Sequence, residues 1–361
     1  MKKLLLATSA LVLAGAAVSP AMAAEKIKLG LGGKMEQYFG VTSQDDAPGF
    51  DPTTTGIATD TEVYFSGATT LDNGLTIGAM IQLEAQTNAT PQNENADEQY
   101  AYIEGAFGQI QAGQKEGVHA QMAHEAPQYG LADDDFGDWF APGDYYAGFM
   151  NGWNGLDTTL SNDDASISYI SPSLAGFSVG LTWTPSPGGA LQANTVTNAH
   201  NQYEAAIAYN GEFGGVAIGA DVAYIGESGA DDNNATTTDQ AAWRGGLVIG
   251  YAGFEVGGSY LRTDDNDGAR GDDREVWNAG IGYRTGPYGV SITYTASTLD
   301  YGNGNKDKLY NVYLGGTYAM GPGVTLVGAL YHAEAERRLA NAPDPEDVDA
   351  LGAVVGLQLE F

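Results

Sequence analysis

Hydrophobic and polar residues alternate with a period of two along most of the chain. Near the C-terminal end, apolar residues such as Leu351, Val355 and Phe361 occupy the odd-numbered positions, whereas Gly352 and Gln358 occupy even-numbered positions between them. Such alternation is typical of strands that face an apolar medium on one side and a polar one on the other. Over the whole chain the pattern predicts sixteen strands, near residues 26–39, 60–70, 74–86, 97–106, 108–115, 165–171, 176–184, 201–211, 214–225, 240–251, 253–262, 274–285, 287–297, 308–319, 323–334 and 349–361.

The predicted connections alternate in length. Short turns rich in Gly, Pro, Asn and Asp follow the even-numbered strands, for example at residues 71–74, 252–253 and 320–323. Longer polar loops follow the odd-numbered strands, near residues 40–59, 87–96, 116–164, 185–200, 226–239, 263–273, 298–307 and 335–348. Short turns at one rim and long loops at the other are typical of outer-membrane proteins. The sequence therefore predicts an all-β fold, a transmembrane antiparallel β-barrel of sixteen strands.

Aromatic residues recur in pairs on one face of several predicted strands, at separations of roughly 15–20 Å along the membrane normal. This spacing suits two aromatic girdles that flank an apolar band, although cross-strand pairs in a soluble sheet are the alternative. Outward positions of the strands near residues 26–86 carry few aromatics, so we expect this part of the wall to face neighbouring subunits. The predicted girdle residues are Trp243, Tyr251, Phe254, Tyr260, Trp277, Tyr283, Tyr288, Tyr294, Tyr310 and Tyr318.

The first residues of the chain have the pattern of an export signal. Lys2 and Lys3 precede an apolar stretch at residues 4–18, and small residues at 21–23 fit a cleavage site. A buried N-terminal helix is the alternative. We expect residues 1–23 to be removed as a signal peptide and residues 24–361 to form a single barrel domain.

The charge balance restricts the possible partners and chemistry. With 15 Lys and Arg against 46 Asp and Glu, the formal net charge is −31, so the basic face that nucleic-acid binding needs is not expected. The chain has no cysteine, and His119 and His124 lack the helical spacing of a zinc pair. The sequence predicts no enzyme activity, no cofactor and no metal centre. At most, Ca²⁺ would bind weakly at acidic loops such as residues 231–232 and 264–267.

Three segments resemble the Gram-negative general porins, in particular the alphaproteobacterial type. Residues 166–177 look like the strand and turn that follow the constriction loop, and residues 100–114 look like the hairpin that precedes it. Phe361 matches the aromatic end that the barrel-assembly machinery reads. The resemblance implies a homotrimer of sixteen-stranded barrels in the outer membrane, with the long third loop, about residues 116–164, folded into each lumen.

The same resemblance implies an acidic constriction loop that faces a basic wall. The predicted acidic constriction residues are Asp133, Asp134, Asp135, Asp138 and Glu116. The bases at positions predicted to face the lumen are Lys34, Lys115, Lys28, Arg244 and Arg284. Of these, Lys34 lies nearest the middle of its predicted strand. More carboxylates than bases lie at positions predicted to face the lumen, so we expect an inner wall that is acidic on balance and a pore that prefers cations. These carboxylates are Glu36, Glu62, Glu84, Glu104, Glu204, Asp221 and Glu255.

Together these features predict an outer-membrane porin that forms a water-filled channel for passive diffusion of small hydrophilic solutes and ions. Its other expected contacts are the lipid of the outer membrane and the assembly machinery. A solute-specific channel on the same fold is the first alternative. A surface adhesin or structural barrel, which would conduct no ions, is the second.

Overall fold

The computed structural model of the chain describes residues 26–46, 51–85, 96–131, 139–140, 164–186, 200–228, 239–265, 272–338 and 346–361. The predicted signal peptide lies outside these ranges. The described strands are β1 (Gly30–Gln44), β2 (Thr55–Thr70), β3 (Thr76–Glu84), β4 (Ala96–Gly105), β5 (Gly108–Gln114), β6 (Ala165–Ile170), β7 (Phe177–Thr184), β8 (His200–Phe213), β9 (Val216–Ser228), β10 (Gln240–Tyr251), β11 (Phe254–Asp264), β12 (Asp273–Thr285), β13 (Tyr288–Asp300), β14 (Lys306–Gly321), β15 (Val324–Arg338) and β16 (Glu346–Glu360).

Each strand pairs antiparallel with its neighbours in sequence, and β1 pairs with β16 to close the barrel. The seam continues to the last residue. The amide of Gly33 donates to the carbonyl of Phe361 at 2.9 Å, and the amide of Phe361 donates back to Gly33 at 3.1 Å. The predicted fold, a closed antiparallel barrel of sixteen strands, is confirmed.

The alternation in the sequence corresponds to two faces of the wall. On β13, the apolar side chains of Val290 and Ile292 are each 47% exposed on the outside, whereas Ser291 and Thr293 between them are buried on the inside. An outward apolar face and an inward polar face are what a strand needs when lipid lies outside and water inside.

The strand boundaries differ from prediction mainly at the rim with the long loops. We predicted the first strand to end near residue 39, but β1 continues to Gln44, and β2 begins at Thr55 rather than near residue 60. The pairing of Val41 with Thr55 shows that the hydrogen-bonded ladder continues beyond the predicted strand ends. The outward positions Ser43 and Thr55 are polar there, so the alternation of apolar and polar residues is weaker than in the rest of these strands.

The outward aromatics form two belts, and the structure places all ten predicted girdle residues on the outer face. Tyr260 and Trp277 lie with ring centres 4.2 Å apart in the belt nearer the long loops. Phe254 and Tyr283 lie 4.4 Å apart in the other belt. The belts also reach β7–β9, which the predicted girdle does not include, through the pairs Phe177–Tyr209 and Tyr203–Tyr224.

One short helix, α1 (Val118–Gln121), follows β5 in the described part of the chain. No helix among the described residues is long and apolar enough to cross a bilayer. The importance of α1 is its position, because it begins the described part of the long third loop.

Candidate functional site

The third loop enters the barrel directly after β5 and contacts the inner wall. The amide of Val118 donates to the hydroxyl of Thr182 on β7 at 3.0 Å. The amide of His119 donates to the carboxylate of Glu204 on β8 at 3.0 Å, and its Nδ1 lies 2.9 Å from the same oxygen. Both partners belong to the inward face, so α1 is held inside the lumen.

The next contact joins the loop to β9 and β10. The amide of His124 donates to Asp221 Oδ1 at 2.6 Å, and the guanidinium of Arg244 donates to Asp221 Oδ2 at 2.6 Å. Arg244 also lies 3.3 Å from the carbonyl oxygen of His124 and 3.3 Å from the carboxylate of Glu125. The Arg244 side chain has no solvent exposure, so it lies beneath the loop rather than on the open lumen surface.

Beyond this point the loop crosses further strands in order. Asn278 on β12 accepts from the amide of Ala126 at 3.1 Å, and Thr293 on β13 donates to the carbonyl of Pro127 at 2.8 Å. Tyr313 on β14 contacts Leu131. Tyr331 on β15 then donates to the carbonyl of Trp139 at 2.6 Å. The described parts of the loop therefore follow the inner wall from β7 to β15.

Tyr129 is the loop residue with the most varied contacts. Its hydroxyl donates to Glu255 on β11, and the guanidinium of Arg284 on β12 lies 3.8 Å from its ring centre. Burial, together with the carboxylate of Glu255, raises the pKa of Tyr129 to about 12, so the hydroxyl remains a donor at neutral pH. Arg284, predicted as a wall base, therefore supports the loop through a cation–π contact.

Glycines on the inward face make room for the loop. A Cβ on Gly246 would overlap the carbonyl oxygen of His124, and a Cβ on Gly315 would overlap that of Tyr129. Similarly, a Cβ on Gly219 would overlap the imidazole of His124, and one on Gly40 the indole of Trp139. Part of the high glycine content, 51 residues, therefore has a specific use, because these positions form a groove in which the loop lies.

Two aromatic residues fix the later part of the loop. Trp139 is 5% exposed and Phe140 is fully buried, and both pack in a cluster with Tyr38, Leu131 and other side chains from β13–β16. Their packing against the inner wall anchors this part of the loop.

Apart from the packing of Trp139 against β1 and β2, the inner wall of β1–β4 lies outside the described path of the loop, and it carries many carboxylates. Lys34 on β1 and Glu62 on β2 are directly paired, and Glu62 is in turn paired with Glu84 on β3. Gln82 on β3 donates to Asp97 on β4 at 2.7 Å, which extends the row. We name this surface the acidic wall; it comprises Glu36, Asp60, Glu62, Glu84, Asp97, Glu98 and Glu104.

Two predicted bases lie on or beside the acidic wall, and both are paired. The Lys34 ammonium lies 2.6 Å from Asp60 and 2.9 Å from Glu62. The Lys115 ammonium lies 2.9 Å from Glu98 and 4.9 Å from the ring centre of Tyr100. The remaining predicted base, Lys28, is exposed and precedes β1. The described bases therefore neutralise part of the wall and do not form a separate basic face.

One group of carboxylates among the described residues has the spacing of a metal site. The ligand atoms of Asp60, Glu62 and Glu84 all lie within 4.8 Å of one another. The Lys34 ammonium already supplies a positive charge to two of the three. The side chains are thus arranged around an internal cation.

Most of the predicted acidic constriction lies outside the described residues, namely Asp133, Asp134, Asp135 and Asp138. Glu116 is described and exposed, two residues before the start of α1. Of the acidic loops considered for Ca²⁺, residues 231–232 and 266–267 are also outside. Asp264 pairs with Arg262 at 2.7 Å on the outer face.

The roles of His119 and His124 were not predicted from the sequence. Their spacing is wrong for a zinc pair, but in the structure each pairs with an inward carboxylate, Glu204 and Asp221 respectively. The sequence contains a signal for these pairs. The two histidines belong to a loop that is expected inside the lumen, and the strands around the lumen carry carboxylates at their inward positions.

Comparison with known proteins agrees with this architecture. The profile of the Gram-negative porin family matches residues 7–338. No curated protein sequence matched the chain significantly. Three of the similar solved structures are the anion-selective porin from Comamonas acidovorans, OmpF of Salmonella typhi in complex with daunomycin, and OmpT of Vibrio cholerae in its trimer form.

The likeness to these structures spans nearly the whole chain. The Comamonas porin has a TM-score of 0.66 at 16% identity, with 93% of this chain and 100% of that one covered. OmpF has a TM-score of 0.65 at 16% identity, with coverage of 92% and 97%. OmpT has a TM-score of 0.62 at 10% identity, with coverage of 93% and 100%. At such identities the likeness concerns the fold. Taken with the family match, the closed barrel and the loop inside it, it establishes that the chain belongs to the Gram-negative porins, channel proteins of the outer membrane rather than enzymes.

Proposed function

We propose that the chain forms a water-filled channel for passive diffusion of small hydrophilic solutes and that this channel prefers cations. The observation that carries the proposal is the acidic wall. Its bases, Lys34 and Lys115, are each held by carboxylates, so the remaining charge of the wall is negative. A low-dielectric wall focuses the field of such charges into the water beside it, which raises the local concentration of cations.

The similarity to a porin described as anion-selective does not argue against a preference for cations in this channel. It shares 16% of its residues with this chain, so the likeness supports a common barrel rather than common lining charges. Selectivity in a pore depends on the side chains at its narrow part. Lining charges must therefore be compared residue by residue, and in this chain the inward face of the described strands β1–β4 carries seven carboxylates and the one base Lys34.

The test is the reversal potential in a planar bilayer under a KCl gradient. We expect the sign of a cation-preferring channel, and we expect the preference to weaken between about 0.1 M and about 1 M salt, because the screening length falls from about 10 Å to about 3 Å. An anion-selective sign, or a preference unaffected by salt, would contradict the proposal.

A matched pair of variants tests whether the charge of the acidic wall causes the preference for cations. Glu62→Gln removes a carboxylate from the acidic wall and should reduce the cation preference. Glu275→Gln removes one from the outer face, where it binds Arg262, and should leave the preference unchanged. Equal effects of the two variants would show that the acidic wall does not set selectivity.

A solute-specific channel remains the second candidate, and one observation favours it. Tyr64, Tyr100 and Tyr102 lie on the inward face of β2 and β4, beside the carboxylates of the acidic wall. Aromatic faces next to carboxylates suit organic cations. Saturable block of the current by one such solute would support this alternative, whereas liposome swelling that depends only on sugar size would support general diffusion. Absence of any conductance would instead indicate a structural or adhesive barrel.

We also infer that the chain assembles as a homotrimer in outer-membrane lipid and that the assembly machinery reads Phe361. The trimer form of OmpT, a protein of the same fold, supports the first part. The aromatic belts of β7–β14 support lipid contact along that part of the wall. The last residue, at the seam between β16 and β1, is 66% exposed and accessible to a partner.

A further inference from the structure

We propose that Asp221, Arg244 and His124 form a protonation-dependent latch that positions the third loop and thereby controls the aperture of the channel. This inference rests on the proposed channel function. It concerns residues on β9, β10 and the loop, away from the acidic wall that carries the selectivity proposal.

The latch is completely internal. The side chains of Asp221 and Arg244 have 1% and 0% exposure, and that of His124 has 6%. Asp221 accepts the backbone amide of His124 with one oxygen and the Arg244 guanidinium with the other. Removing water from such charge-assisted contacts makes each of them stronger than a comparable contact on the surface.

The imidazole of His124 has an oxygen next to each ring nitrogen. Nδ1 lies 3.2 Å from Asp221 Oδ1, and Nε2 lies 2.9 Å from Asn210 Oδ1. A neutral imidazole donates through only one nitrogen, whereas an imidazolium donates through both. The geometry therefore matches the protonated ring, with both nitrogens as donors.

The charged and titratable groups around His124 have opposing effects. Asp221 on β9 favours the protonated ring, Arg244 on β10 opposes it, and Glu125 is its neighbour along the loop. The His119–Glu204 pair lies on the adjacent part of the loop and β8. Burial by itself would lower the pKa of His124, but the hydrogen bonds to Asp221 and Asn210 outweigh it, so the pKa lies above its usual value.

The raised pKa fixes the direction of the pH effect. The docked loop binds the His124 proton more tightly than a released loop does, so protonation favours docking. This stabilisation is fully present below the ordinary pKa of histidine, about 6.5, and is lost as the pH rises through the raised value. We therefore expect the loop to be held firmly in acid and to loosen as the solution becomes alkaline.

The first test records single channels of the wild type, His124→Gln and His332→Gln from about pH 5 to about pH 9, which spans the range in which histidine changes charge. Current fluctuations of the wild type should become severalfold more frequent toward high pH. His124→Gln should lose this dependence and fluctuate often at every pH. His332 lies half-exposed on the outer face, 3.5 Å from Asp349, so its variant should keep the wild-type profile.

Asn210→Ala provides a milder variant that tests the same group. It removes the oxygen next to Nε2 and should move the midpoint of the wild-type pH profile to lower pH. A flat wild-type profile, a profile retained in His124→Gln or an unmoved midpoint in Asn210→Ala would each overturn the latch.

A measurement without conductance separates this inference from the proposed function. In detergent, the difference in unfolding temperature between the wild type and His124→Gln should be largest at low pH and should shrink as the pH rises. A difference that does not vary with pH would overturn the latch even in a conducting channel. Conversely, absence of current together with a pH-dependent difference would reject the channel and keep the latch.

Discussion

Lys34 lies on the inward face of β1, where a free ammonium would attract anions. The sequence predicts that Lys34 lies near the middle of its strand, but it is the fifth of the 15 residues of β1. Its ammonium is not free but is held between Asp60 and Glu62, at 2.6 and 2.9 Å. Replacing it would leave these two carboxylates and the nearby Glu84 without their internal counter-charge. The position of Lys34 therefore predicts that it moderates the negative charge of the wall.

The variant Lys34→Met keeps a long side chain and removes the charge. We expect the cation-to-anion permeability ratio to rise by roughly fivefold or less, because one unit charge at a few ångströms in water contributes about 1 kcal/mol. We also expect block by Ca²⁺ to appear, since three carboxylates within 4.8 Å would then be available to it. Reversal potentials and current block in planar bilayers measure both effects.

The control for this variant is Lys306→Met. Lys306 binds Asp300 at 2.6 Å on the outer face, so removing its charge should alter neither selectivity nor Ca²⁺ block. A Lys34→Met channel with unchanged or reversed selectivity would show that Lys34 does not moderate the wall.

The residues of the latch were predictable from the sequence only in part. Parity correctly placed Arg244 and Asp221 on the inward face, because alternation depends only on local geometry. Their contact with His124 depends on where a distant loop folds, and no periodicity records that. The sequence therefore places Asp221 and Arg244 on the inner wall but does not predict their contact with His124.

The shape of the third loop is complementary to the inner surface of the strands on which it lies. Inward glycines on β7, β9, β10 and β14 leave a groove, and the loop backbone lies in it. Gly246 is a critical point, because an added side chain there would occupy the space of the His124 carbonyl oxygen. The groove should therefore tolerate no branched side chain at this position.

We predict that Gly246→Val displaces the loop, destabilises the barrel by roughly 1–3 kcal/mol, as overpacking does, and alters the single-channel conductance. The matched control is Gly245→Val, one residue away on the same strand. A Cβ on Gly245 faces outward and meets only the carbonyl of Asp221 at 3.4 Å, an ordinary contact. Urea unfolding and bilayer recordings compare the two, and equal effects would contradict the groove.

The elements themselves were largely predictable. The strands were located by the alternation of apolar and polar residues, since a wall between lipid and water imposes a period of two. The alternation of short turns with long loops supported the same strand positions. The ends of β1 and β2 at the long-loop rim were not predicted, because the polar outward residues Ser43 and Thr55 weaken the alternation there while the strand pairing continues. Helix α1 has four residues and no amphipathic repeat, so its sequence gave no signal.

At the scale of the whole molecule, the outer wall has two kinds of surface. The described strands β7–β14 carry both aromatic belts, whereas β1–β3 expose mainly aliphatic residues such as Leu31, Val41 and Ile57. A wall packed against another protein needs no interfacial aromatics. This division predicts that subunits meet through the N-terminal strands.

Native mass spectrometry should show a trimer, and Ile57→Lys on the outer face of β2 should reduce it to monomers by burying a charge in the interface. The control Leu247→Lys, on the outer face of β10, lies toward lipid and should retain the trimer at some cost in stability. A monomeric wild type, or dissociation by both variants alike, would contradict the assignment of this surface.

The seam between β1 and β16 has a further consequence for how the molecule is made. The hydrogen bonds between Gly33 and Phe361 join residues separated by nearly the entire chain. Until those bonds form, two strand edges with unpaired amides and carbonyls remain open, and such edges associate with other chains. The other described pairings join strands that are adjacent in sequence, so this seam can form only after β16 has been made. The protein is therefore most exposed to aggregation until β16 pairs with β1.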